Sequence, residues 1–113
     1  MHTQNQALLD ALNACNAACE HCATACLKEE VVKMMARCIS IDRDCADICA
    51  LTARFVDRDS DHAQHVMREC AEIFKICGDE CEKHAAHMPH CKECAEACRR
   101  CEQACRAGMS MAA

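Results

Sequence analysis

Tryptophan and tyrosine are absent from this 113-residue sequence, phenylalanine occurs twice, and leucine, isoleucine, valine and phenylalanine together number only sixteen. Hydrocarbon for a conventional core is therefore scarce. Proline occurs once and glycine twice, so little breaks the chain, and its many alanines favour continuous helix. No run of about eighteen apolar residues is present to cross a bilayer, and no apolar signal segment follows Met1. A net charge of -5 with almost no aromatic side chains offers nucleic acid neither a basic surface nor a stacking platform. These absences set the expectation of a cytoplasmic helical protein with no membrane and no nucleic-acid partner.

What the chain has in quantity is cysteine, fifteen residues of it. The stretch CKECAEACRRCEQAC, Cys91 to Cys105, carries five thiols at alternating spacings of three and four. At 100° per residue they stay within a stripe about 80° wide on one helix face. Disulfides fit this poorly, because the count is odd and thiols so spaced on a helix point along nearly parallel directions. Reduced thiols accord with the cytosol. They serve the interior either as small apolar groups or as ligands to metal ions.

The same design recurs four times. A first segment, about Thr3 to Leu27, carries Cys15, Cys19, Cys22 and Cys26, and a second, about Glu30 to Val56, carries Cys38, Cys45 and Cys49. A third begins near Ser60 as N-cap, carries Cys70, Cys77 and Cys81 and ends near Ala86; the fourth opens at Pro89 and stops at Gly108. In the first three segments the thiols fall within about 60°, 40° and 40°, and charges such as Lys28, Arg43, Glu72 and Arg100 lie on other faces. The expected fold is all-α, an antiparallel four-helix bundle with cysteines lining the core, forming a single domain over residues 1–113.

Up-down-up-down order makes the two ends chemically different. One collects Leu8, Leu12, Val56, Val66, Met67 and Phe74, an apolar plug. The other collects Cys26, Met34, Met35, Cys38, His84, Met88, His90 and Cys91, all of them soft or borderline metal ligands. This second end is read as a metal entrance, with His84, His90, Met34, Met35 and Met88 as candidate ligands beside the cysteines; methionine at helical spacing also serves as ordinary gap filler.

Six pairs lie four apart: Cys15/Cys19, Cys22/Cys26, Cys45/Cys49, Cys77/Cys81, Cys94/Cys98 and Cys101/Cys105. Each CxxxC pair can set two sulfurs on either side of an ion at the helix surface. Soft thiolates at low coordination number suit Cu(I), and pairs three apart let neighbouring ions share a sulfur. Zinc wants closed sets of four ligands, whereas these sulfurs form continuous rows. Charge favours copper as well. A buried unpaired charge is costly; Cu(I) approaching one ion per thiolate cancels it, and a zinc tetrathiolate keeps two excess negative charges. Iron–sulfur, di-iron and haem motifs are absent. No thiol is singled out from the rest for catalysis, so an enzyme is not expected.

The repeated CxxxC pairs, the four cysteine-bearing segments and the His- and Met-containing mouth together resemble the bacterial copper storage proteins, cysteine-lined four-helix bundles that hold many Cu(I) ions inside. Without a signal segment the sequence is similar to the cytosolic subtype. The resemblance implies multiple Cu(I) ions per chain, with copper ions as partners, and assembly as a homotetramer. It makes every cysteine, Cys15, Cys19, Cys22, Cys26, Cys38, Cys45, Cys49, Cys70, Cys77, Cys81, Cys91, Cys94, Cys98, Cys101 and Cys105, a candidate ligand. The second and third segments depart from it in having only three cysteines each. The function expected is cytosolic Cu(I) storage or sequestration without turnover. The alternatives are a general zinc or heavy-metal thiolate buffer, a redox-responsive thiol protein, or a helical interaction module with cysteine as core filler.

Overall fold

Four helices, α1 (His2–Leu27), α2 (Ala36–Asp57), α3 (Ala63–Glu82) and α4 (Pro89–Ala112), make up the computed structural model. It describes the backbone of residues 2–112 and the side chains of residues 5–109; the two ends of the expected 1–113 domain lie outside these. α1 packs on α2 and α4, and α3 packs on the same two helices. Neighbours in this square are antiparallel, as short connections require. The bundle measures 45 × 19 × 19 Å, two helix diameters across. Among the described residues there is no strand, and no helix is long and apolar enough to cross a membrane.

Helix boundaries shift from those expected, each for a local reason. The second segment begins as a short 3-10 turn, Val32–Met35, before α2 proper; adjacent Val31 and Val32 are β-branched and weak helix starters. α2 ends in a Schellman arrangement, with Ser60 N donating to Phe55 O at 3.0 Å and Asp59 N to Val56 O at 3.1 Å. Asp59 sits there at φ 51°, the left-handed position glycine usually takes. Ser60 Oγ accepts from His62 N at 3.1 Å, yet α3 starts only at Ala63 and ends at Glu82, short of Ala86. Gly108 does not stop α4, which continues to Ala112. A Cβ at position 108 would lie 3.4 Å from Leu8 and Met67, in ordinary contact with both.

The core is sulfur, as the rows imply. All fifteen cysteines are free thiols and all are buried. The apolar end is as expected in Leu8, Leu12, Val56 and Met67, while Val66 is only half-buried. Phe74 differs in place: it is fully buried inside the third row, between Cys70 and Cys77 on α3.

Candidate metal centre

Each helix presents one row with spacings of four, three and four: 15, 19, 22, 26 on α1; 38, 42, 45, 49 on α2; 70, 74, 77, 81 on α3; 94, 98, 101, 105 on α4. Fourteen of these sixteen positions are cysteine. The exceptions are Asp42 and Phe74, and both are completely buried. Cys91 adds one further thiol at the head of the fourth row. Helix periodicity thus turns four sequence stripes into four facing columns of donor atoms.

At the mouth, Cys22, Cys26 and Cys91 form a triangle of sulfurs, with separations of 3.9 Å for Cys22–Cys26, 3.8 Å for Cys22–Cys91 and 3.9 Å for Cys26–Cys91. A nitrogen of His90 joins this group, all four donor atoms lying within 4.8 Å of one another. One layer further in, Cys38 and Cys81 approach to 3.7 Å across α2 and α3.

Asp42 is the hub of the next layer. Its Oδ1 accepts from the thiols of Cys77 at 3.2 Å, Cys94 at 3.4 Å and Cys81 at 3.5 Å, while Cys38 donates to Oδ2 at 3.8 Å. Burial pushes the Asp42 carboxyl up to about 10 from an ordinary 3.8, and any negative charge on Cys94 or Cys77 raises it further. The group is therefore neutral at pH 7, an acceptor for thiol hydrogens that also offers an oxygen to a cation. Burial likewise pushes the Cys26 thiol up to about 11. Burial opposes the charged form at both groups.

Deeper still, Cys94 donates to Cys19 at 3.7 Å and Cys15 to Cys98 at 3.8 Å, with Cys15 3.9 Å from both Cys19 and Cys45. The column continues from Cys15 to Cys101 and Cys49, and then to Cys70 and Cys105. There Cys70 donates back to Ile48 O at 3.9 Å. Thr52 closes the row with a buried hydroxyl that has no partner.

Several sets of four donors fall within 4.8 Å: Cys15, Cys19, Cys45 and Cys98; Cys19, Cys77, Cys94 and Cys98; Cys22, Asp42, Cys81 and Cys94; Cys22, Cys26, Cys38 and Asp42. Adjacent sets share members. Cys19 and Cys98 belong to the first two, Cys94 links the second to the third, and Cys22 occurs in three sets including the one with His90. Shared sulfurs are the geometry of bridged, multi-ion thiolate chemistry, and differ from the separate closed sets of structural zinc.

A model of the copper storage protein family matches residues 1–110. The chain belongs to that family. It is 42% identical over 113 residues, the whole of both chains, to the uncharacterized cysteine-rich protein YhjQ of Bacillus subtilis (strain 168). A cytosolic copper storage protein from Streptomyces lividans carrying five coppers has a TM-score of 0.91 at 38% identity, covering 97% of this chain and 98% of that one. The apo copper storage protein 3 of Bacillus subtilis has a TM-score of 0.84 at 39% identity, over 93% of this chain and 98% of that one.

In this copper storage family member the other sequence-derived candidates divide. Met35 is fully buried and Met34 is 71% exposed. Both line a cleft of about 260 Å³ with Val31, His84, His87 and Met88. His84 and His90 each have a buried Nε2 without a hydrogen-bond partner, so neither is a simple solvated loop histidine. His87 is exposed. Sequence reasoning missed Asp42, although the signal was present: it stands four after Cys38 and three before Cys45, completing the row.

Proposed function

We propose that the chain stores or sequesters Cu(I) in the cytosol, holding many ions inside the bundle through its fifteen cysteines, with no catalytic turnover. The observation that carries this reading is the overlap of the donor sets. Each set shares one or two ligands with the next, so copper passes inward by ligand exchange with no thiolate left uncompensated. Asp42 adds one oxygen donor in the middle of the column. His90, with Cys22, Cys26 and Cys91, forms the outermost set; His84, Met34, Met35 and Met88 stand before it as relay ligands.

Monovalent copper suits this core better than zinc. Each Cu(I) that replaces a thiol proton leaves the charge unchanged, whereas a tetrathiolate zinc site leaves two negative charges in a medium that already forces Asp42 to hold its proton. The cytosolic Streptomyces protein supports the same compartment. Residues 1–113 act as one domain, and the chain assembles as a homotetramer, as the family resemblance implies; exposed Leu51 and Ile76 are apolar groups available to such contacts.

Internal loading makes two linked predictions, since ions that replace thiol protons also cross-link helices. Apo and Cu(I)-loaded protein are compared by thermal melting while released protons are counted in weak buffer. The loaded form melts at a higher temperature and releases close to one proton per ion. Equal melting temperatures would contradict binding inside the bundle.

A further inference from the structure

Glu80 lies on α3 with only 6% of its surface exposed. It is a buried carboxylate outside the sulfur column. Its Oε1 takes two cations, accepting from Arg37 Nε at 3.1 Å and Lys83 Nζ at 3.1 Å. Its Oε2 faces the imidazole of His84, with Nε2 at 3.5 Å. That nitrogen is buried and has no hydrogen-bond partner. At 3.5 Å the contact is longer than the usual N–H···O hydrogen bond.

The placement divides the labour of one carboxylate. Arg37 and Lys83 hold Oε1, and the Arg37 link ties the start of α2 to the end of α3. Oε2 is left for His84, which lines the mouth cleft with Met34, Met35 and Met88. A metal-binding histidine commonly donates its second ring N–H to a carboxylate, which fixes the tautomer and strengthens the ligand. The two ring nitrogens are not equivalent: a proton held at Nε2 leaves the lone pair at Nδ1.

We propose that Glu80 is a positioning residue for copper capture at the mouth: it keeps the His84 proton on Nε2, so that Nδ1 is the free donor. The inference rests on the reading of this end as the copper entrance. Glu80 itself does not bind the ion. Its effect falls on the rate of loading and leaves the capacity of the cysteine core unchanged.

The test has one readout without copper and one with it. Long-range ¹H–¹⁵N correlation of the apo protein reports the His84 tautomer directly. Wild type shows the proton on Nε2, and Glu80→Gln, whose amide can turn either face to the ring, loses that preference. Arg37→Ala, which removes the cross-helix ion pair and leaves the carboxylate, retains it. Stopped-flow transfer of the first Cu(I) equivalent from a chelator is then about tenfold slower in Glu80→Gln, with final capacity unchanged. The His84→Ala variant is slowed as much, and the double variant no further. A wild-type proton on Nδ1, an unchanged tautomer in Glu80→Gln, or slowing by Glu80→Gln that persists in the His84→Ala background overturns the proposal. Failure of wild type to take up copper at all overturns the storage reading and this role with it, and is distinguished by the copper-free spectrum.

Discussion

Cys77 on α3 donates its thiol hydrogen across the bundle to Asp42 Oδ1 on α2 at 3.2 Å. The acceptor stands where the row on its helix would carry a fourth cysteine. A carboxyl at that point accepts thiol hydrogens before loading and presents an oxygen among sulfurs after it.

Asp42 makes apo stability depend on pH. Its folded value is raised to about 10 from an ordinary 3.8, so the neutral form is favoured in the fold. The stability this gives is fully present below about pH 3.8 and is lost progressively as pH rises to about 10. The slope is up to about 1.4 kcal/mol per pH unit. Asp42→Asn, nearly isosteric with the protonated acid, removes it. Urea unfolding of reduced apo protein from pH 5 to 9 is flatter for the variant, with the variant gaining on wild type toward high pH. Identical profiles would contradict a buried neutral Asp42.

Shared ligands make the loss of one thiol cost more than one ion. Cys22 belongs to three of the overlapping donor sets, one with His90 and two with Asp42. Cys22→Ala therefore lowers the copper content by two or more ions per chain. Native mass spectrometry of saturated protein counts them, and a loss of one or none would show the sites to be independent.

Thr52 ends the second row with an unsatisfied buried hydroxyl. An unpaired buried hydroxyl costs about 1 kcal/mol or more. Its usual helical acceptor, the Ile48 carbonyl four residues back, already receives the Cys70 thiol at 3.9 Å. Thr52→Val keeps the shape and the β-branched backbone preference. The apo protein then melts on the order of 4 °C higher; a lower melting temperature would mean that the hydroxyl is satisfied.

The bundle was legible in the sequence because its signal is periodic. Stripes such as Cys15, Cys19, Cys22 and Cys26 repeat in every segment, and short connections leave one topology. The ends of helices were less so, since exposed Asp59 takes the left-handed position of the turn that closes α2 and α4 runs on through Gly108 where a stop was expected. Reading the rows as cysteine alone made the second and third look thin, when Asp42 and Phe74 complete them. Asp42 escaped because an aspartate on a helix is normally solvent-facing. Its burial depends on thiols from α2, α3 and α4, brought together only by the fold. Glu80 escaped for a similar reason, its partner Arg37 lying 43 residues away.

Titration of the fully reduced protein with Cu(I) in the absence of oxygen, against a strong chromophoric chelator and excess zinc, tests the central claim most directly. A column of shared thiolates takes up many copper ions per chain, approaching the fifteen cysteines, and zinc does not reduce the number. Uptake of only one or two ions, or their loss to zinc, would contradict a copper-storing core.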